Sequence, residues 1–179
     1  MLDAYGVKIN LEHPKEIDKA KDYVLFLHGF TGCAEDWFPV FEQLPDKYNY
    51  IAVDIVGHGK SDAPGIQSYY SVESIVNQIK FVKDHLTQNK VFLLGYSMGG
   101  RIALSYASVY PDDIKGLILE SASAGIKNDE ERQKRYEEDL KLAEFIETHT
   151  LEEFIEMWND QELFNTQRRF SNDKLKKLK

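Results

Sequence analysis

Three runs of the chain, Tyr23–Leu27, Tyr50–Val53 and Val91–Leu94, are apolar at every position, and each leads into a glycine-containing turn. A fourth, Ile114 to Leu119, carries Gly-Leu-Ile-Leu. Short runs of this kind suit strands covered on both faces of a parallel sheet. Helical patterns lie between them. Residues 71–86 open with Ser71-x-Glu73 and set Val72, Ile75, Val76, Ile79 and Val82 along one face. Residues 98–109 form a second helical stretch, stopped by Tyr110-Pro111. Strand and helix in alternation predict an α/β fold, a mostly parallel sheet with flanking helices. The opening stretch, residues 3–11, reads as an antiparallel edge strand.

The pattern changes near residue 125. From Asn128 to Lys179 glycine and proline are absent and charged residues dominate. Leu140, Ala143, Phe145 and Ile146, then Phe154, Ile155, Met157 and Trp158, predict amphipathic helices. A solvated tail would not need the aromatic content of Phe145, Phe154, Trp158, Phe164 and Phe170. The sequence therefore divides into a core, residues 1–125, and an incomplete helical lid, residues 126–179.

Gly95-Tyr96-Ser97-Met98-Gly99 is the sharpest chemical signal. G-x-S-x-G alone is a short pattern, but here it follows an apolar strand and opens a helix, the setting in which a serine is raised as a nucleophile. Gly95 and Gly99 give the sharp turn clearance, and Gly100 lets the helix approach the sheet. The helix N-terminus adds free N–H groups and partial positive charge beside Ser97. After a different strand comes His28-Gly29-Phe30-Thr31-Gly32, a loop able to aim the Phe30 N–H at a developing oxyanion beside that of Met98. His28 reads as a loop-fixing histidine rather than a catalytic base. Asp54 with Gly57-His58-Gly59-Lys60-Ser61 reads as a turn-building motif, with His58 again structural. Arg101 lies one helical turn beyond Ser97, and a guanidinium fork there suits a carboxylate ligand. Arg135 stands among Glu130, Glu131, Glu137 and Glu138, where an ordinary surface charge is the competing reading.

Charge and composition exclude several classes. A net charge of −8 argues against nucleic acid, whose phosphates need a basic face. No apolar run approaches the roughly 20 residues of a membrane span. The opening Met-Leu-Asp-Ala-Tyr-Gly lacks a signal-peptide layout, and the one cysteine, Cys33, has no internal partner, so a reducing cytoplasm is expected. His28, His58, His85 and His149 show no zinc spacing, and no metal or cofactor is expected. The oligomeric state is not readable from the sequence.

The series His28-Gly29-Phe30-Thr31-Gly32, Val53-Asp54-x-x-Gly57-His58-Gly59 and Gly95-Tyr96-Ser97-Met98-Gly99-Gly100 resembles α/β-hydrolase-fold proteins. Ser97-Met98-Gly99-Gly100-Arg101, Leu119-Glu120-Ser121-Ala122-Ser123-Ala124-Gly125 and Arg132-x-x-Arg135 narrow the likeness. So do the lid residues Leu142-Ala143-x-Phe145-Ile146, Phe154, Trp158 and Leu163-Phe164. Together they resemble the 2-succinyl-6-hydroxy-2,4-cyclohexadiene-1-carboxylate synthases of menaquinone biosynthesis, although that family commonly has Pro where Ala124 stands. The resemblance implies a lyase: a proton leaves a cyclohexene substrate, pyruvate is expelled, and Ser97 acts as base. It implies that the Phe30 and Met98 N–H groups hold the enolate-like charge and that Tyr96 and Trp158 line the pocket. Arg101 and Arg135 would grip a small substrate with several carboxylates.

A serine of this kind needs a histidine and an orienting acid, which in this fold follow it in the chain. After Ser97 the only histidine is His149, with no strand pattern before it. The expectation is a chain that stops inside the lid, inactive alone, with an unpaired strand edge that favours aggregation. Two other functions fit the same residues: a serine esterase or carbon–carbon hydrolase, and a binding module that keeps a pseudo-active site.

Overall fold

The computed structural model describes residues 1–162, which divide between two compact units, Met1–Gly125 and Ile126–Lys179. In the first, strands β4 (Tyr23–Leu27), β5 (Asn49–Val53), β6 (Val91–Tyr96) and β7 (Ile114–Glu120) run parallel. The short β3 (Leu11–Glu12) pairs antiparallel with β5, giving the order β3-β5-β4-β6-β7. The chain thus builds outward from β4 to β5, then crosses back to lay β6 on the other side of β4. Loops leaving β4 and β6 part there, and open α/β sheets bind ligands at such a reversal. Leu27 and Gly95 are register partners, so the two loops start side by side.

The apolar runs are strands because both faces of the sheet are covered. Tyr23, Leu25 and Leu27 face one way, with Ile51, Val53 and Leu93, into a core completed by α2 (Val72–Leu86) and α3 (Met98–Val109). Ile75, Val76, Ile79 and Val82 are the buried stripe of α2, and Ile102, Ala103 and Tyr106 that of α3. Val24 and Phe26 face the other way, onto Trp37 and, in the one-turn helix α1 (Phe38–Phe41), Phe41. The Phe26 ring meets Trp37 at 5.1 Å and Phe41 edge-on at 4.9 Å. Ser71 caps α2 as its side chain accepts from the Ser74 N–H, 3.1 Å.

Two expectations change. Residues 3–11 do not form one edge strand: β1 (Leu2–Ala4) and β2 (Val7–Ile9) make their own hairpin, and only β3 joins the main sheet. The reason is Tyr5-Gly6, both at positive φ (60° and 85°), which turns the chain back, with the Gly6 N–H donating to Asp3. Nor is β7 buried on both faces. It is the edge strand of the described sheet, and Ile118 and Leu119 are 50% and 39% exposed.

In the second unit, α4 (Asp129–Thr148) is capped by Asn128 and α5 (Leu151–Asn159) by a Thr150–Glu153 capping box. Along α4 only Leu142 and Phe145 are even half-buried. Charged residues recur on every side of this helix, so the amphipathic face expected from Leu140, Ala143 and Ile146 is weak. Phe154 and Trp158 pack together on α5, 5.8 Å between ring centroids. Phe164 and Phe170 lie outside the described residues.

An exposed apolar edge invites association. The 179-residue chain should self-associate with rising concentration in light scattering, and Ile118→Lys should suppress this without lowering the melting temperature.

Candidate active site

Ser97 sits between β6 and α3 at φ 52° and ψ −111°. Positive φ at a non-glycine residue stores about 1–3 kcal/mol, and the neighbours hold it there. The Ser97 N–H donates to Glu120 O at the end of β7, 2.9 Å, and the Gly99 N–H to His28 O at the end of β4, 3.1 Å. A Cβ on Gly99 would stand 2.3 Å from Leu27 O and 2.6 Å from His28 O, and one on Gly95 would stand 2.3 Å from Gly99 O. The elbow therefore rests backbone to backbone on the neighbouring strand, which glycine alone permits.

The loop after β4 lies against the serine. A Cβ on Gly29 would be 3.0 Å from the Tyr96 ring and 3.7 Å from Ser97 Cβ. Ser97 is half-buried, while Tyr96 and Phe30 are exposed. Met98 is the first residue of α3, so its N–H has no acceptor within the helix. The amides on either side of it are already engaged, by Glu120 and His28.

Side chains near the serine mostly hold backbone. His28 is buried; its Nε2 accepts from the Ile55 N–H, 3.0 Å, so the proton is on Nδ1, which donates to Gly29 O, 2.7 Å. Burial pulls this imidazole below its ordinary value. With both nitrogens engaged, His28 is a loop-fixing residue. Asp54 is buried as well and accepts from the Ala34 N–H (2.6 Å), the Lys60 N–H (3.0 Å) and Asn10 Nδ2 (2.9 Å). A Cβ on Gly59, at φ 53°, would fall 2.3 Å from the Asp54 carboxyl, so the glycine makes room for these bonds. His58 Nε2 meets Phe30 O at 2.5 Å. The turn-building motif is thus a clamp between the loops after β4 and β5.

Arg101 is exposed on the first turns of α3, and among the described residues no carboxylate pairs with it. In the other unit, Arg135 Nε donates to Asp139, 2.9 Å, along α4, and Arg132 pairs with Asp129. An exposed i,i+4 pair of this kind contributes only about 0.3–0.5 kcal/mol. Trp158 is half-buried beside Phe154. His149 caps α4, its ring stacked on Phe145 at 3.8 Å. Ser121, a second serine at positive φ (51°), follows β7 and was not signalled by the sequence. Its neighbour Ala122 lies under α3, where a Cβ on Gly100 would be 2.4 Å away.

A strained serine between strand and helix, at the sheet's reversal and touching a glycine loop, defines an α/β hydrolase elbow. Residues 22–168 match the α/β hydrolase fold family, and the chain belongs to it. Among its relatives, a Bacillus subtilis (strain 168) protein provisionally named 2-succinyl-6-hydroxy-2,4-cyclohexadiene-1-carboxylate synthase is 42% identical over 154 residues. That alignment covers 86% of this chain and 56% of the relative. The synthase of that name from Enterobacter sp. (strain 638) is 32% identical over 157 residues, 88% of this chain and 59% of the relative. The solved structure of MenH from S. aureus superposes with a TM-score of 0.80 at 30% identity, over 93% of this chain and 61% of that one. The chain therefore spans little more than half the length of the proteins it matches.

Gly99→Ala should cost about 3 kcal/mol in denaturant unfolding, since the carbonyls it would strike belong to a central strand. Stability should also depend on His28. Its folded value lies below the ordinary 6.5, so the unfolded chain takes up a proton first as pH falls. The contribution is full above pH 6.5 and is lost below it, towards the lowered folded value. Denaturation midpoints compared at pH 7.5 and 5.5 should show this loss, and His28→Gln should flatten it.

Proposed function

We propose that the chain carries the serine of a carbon–oxygen lyase that eliminates pyruvate from 2-succinyl-5-enolpyruvyl-6-hydroxy-3-cyclohexene-1-carboxylate, giving 2-succinyl-6-hydroxy-2,4-cyclohexadiene-1-carboxylate. The observation that carries the reading is Arg101, an exposed guanidinium one helical turn from the elbow serine in a chain of net charge −8. Esters of neutral alcohols would not need it, whereas a substrate with several carboxylates would. The names of the synthase relatives support the same choice.

In this reading Ser97 Oγ, its own proton passed to the activating histidine, takes a proton from a ring carbon. Electrons move to form the second ring double bond as the carbon–oxygen bond to the enolpyruvyl group breaks. The group leaves as the enolate of pyruvate, while the proton on Ser97 restores the hydroxyl. The enolate becomes pyruvate by taking a proton from the histidinium or solvent on its terminal CH2 carbon. Charge that builds up during proton removal is met by the amides of Met98 and Phe30, which need not reorganise. Tyr96 and Trp158 line the pocket, and Arg101 and Arg135 hold carboxylates. Residues 126–179 belong to the helical lid in this reading, and residues 1–125 to the core. The step is redox-neutral and calls for no cofactor, and the setting is cytoplasmic. Neither His28 nor His58 is the base that activates Ser97, because both have their ring nitrogens on backbone groups. In this fold the activating histidine follows the serine in the chain.

The test follows pyruvate by a coupled lactate dehydrogenase assay on the cyclohexene substrate, beside p-nitrophenyl esters, with Ser97 in a chain that also carries its activating histidine. Pyruvate release is expected, reduced about 10³-fold or more in Ser97→Ala. In Arg101→Ala KM should rise about tenfold or more. Rapid ester turnover with no pyruvate would replace the lyase by an esterase.

A further inference from the structure

Phe30 donates from one peptide plane and accepts on the next. Its N–H belongs to the Gly29–Phe30 peptide, and its carbonyl to the Phe30–Thr31 peptide. A trans peptide is planar with its N–H and C=O opposed, so fixing the direction of one fixes the other. Gly29 O accepts from His28 Nδ1 at 2.7 Å and from the Gly32 N–H at 3.1 Å. Phe30 O is met by His58 Nε2 at 2.5 Å, while His58 Nδ1 faces Val56 O at 3.2 Å. A neutral imidazole donates through one nitrogen only, and the much shorter contact assigns the proton to Nε2. Both peptide planes that flank Phe30 are thus held at their carbonyls by a histidine, the first on the side opposite the Phe30 N–H.

This matters because the loop contains Gly29 and Gly32, whose backbone freedom would otherwise let the 29–30 peptide rotate. The two histidines are themselves linked. Their rings lie 5.0 Å apart, and the His58 ring also meets the Phe30 ring edge-on at 6.2 Å. His28 Nε2 is occupied by the Ile55 N–H, from the same loop that carries His58. That bond selects the tautomer with the proton on Nδ1, the only neutral form that can donate to Gly29 O. Burial supports the neutral form. Ile55 therefore sets the tautomer, His28 aims the Gly29–Phe30 peptide, and His58 stops the next peptide from following a rotation.

We propose that His28 and His58 are positioning residues that together aim the Phe30 amide at Ser97, converting a flexible glycine loop into a fixed anion donor. The proposal rests on the reading of Phe30 as such a donor. It assigns a role to two histidines that touch no substrate, and it makes the loop after β5 part of the site.

The test introduces His58→Phe, which keeps a ring against Phe30 and removes the donor, and His58→Gln, which restores an N–H, into the protein that also carries the histidine activating Ser97. Imidazole ¹⁵N spectra should show His28 neutral with the proton on Nδ1. In His58→Phe the Phe30 amide resonance should move and its hydrogen exchange should quicken about tenfold. The pyruvate assay should show kcat down about tenfold or more, with KM within about twofold. His58→Gln should recover most of both. An Nε2–H tautomer at His28 would overturn the proposal, as would a Phe30 amide indifferent to His58→Phe. A fall in kcat that tracks only a lower melting temperature would do the same. Absence of pyruvate release by the parent protein would refute the lyase reading instead, and the Phe30 amide would still judge the clamp.

Discussion

The carbonyls of Leu27 and His28 occupy the space that any side chain at position 99 would need, and the Gly99 N–H donates to one of them. This backbone contact between the end of one strand and the start of a helix on the next governs the rest of the site. It brings α3 down close to the sheet, which requires Gly95 and Gly100 as well. It forces the chain to turn within a single residue, and Ser97 takes the positive φ that results. A second bond, from the Ser97 N–H to Glu120 O, ties the same turn to β7 on the other side. The serine is strained because two neighbouring strands hold the peptides around it. Such strain persists only when its surroundings over-determine it.

Around this contact the polar side chains act mostly on backbone, the bond from Asn10 Nδ2 to Asp54 being a side-chain pair among them. Asp54 gathers amides from Ala34 and Lys60, His28 takes one from Ile55, and Ser61 Oγ donates to Asp54 O. Buried polar groups are costly unless partnered, and here the partners are the loop amides that would otherwise be unpaired. The loops after β4 and β5 satisfy each other and so stay in place beside the elbow. Rigidity of the donor loop is thereby separated from its composition: glycine gives close approach, and side chains from the next loop remove the freedom that glycine brings.

Much of this was legible in the sequence, because strands buried on both faces and a G-x-S-x-G turn are local patterns. Tyr23–Leu27, Val91–Leu94 and the helix from Met98 to Val109 are visible as runs, with the structure extending β6 by two residues to Tyr96. What the sequence hid is relational. Residues 3–11 contain apolar positions that fit one strand, but the Tyr5-Gly6 turn divides them. The run at 114–119 looks like a buried strand because its composition is apolar, whereas burial depends on neighbours that composition does not record. His58 looks like a turn residue, and only the fold brings it to Phe30, far earlier in the chain. Charged residues on all sides of α4 likewise outweigh its scattered apolar ones.

The reversal in strand order has a kinetic side. β4 and β5 are close in sequence, but the contact between His28 and Gly99 joins residues far apart in the chain, across the whole of β5 and α2. Loop closure over that length is entropically costly, and such non-local pairings form slowly. A chain with β4 and β5 already paired still has no elbow, no engaged Gly99 amide and no bond from the Ser97 amide to β7. Docking of β6, with β7 beside it, is the step that creates all three together. The strained elbow is therefore assembled by the same event that closes the sheet, and a partly folded chain holds Ser97 in a relaxed, unremarkable backbone.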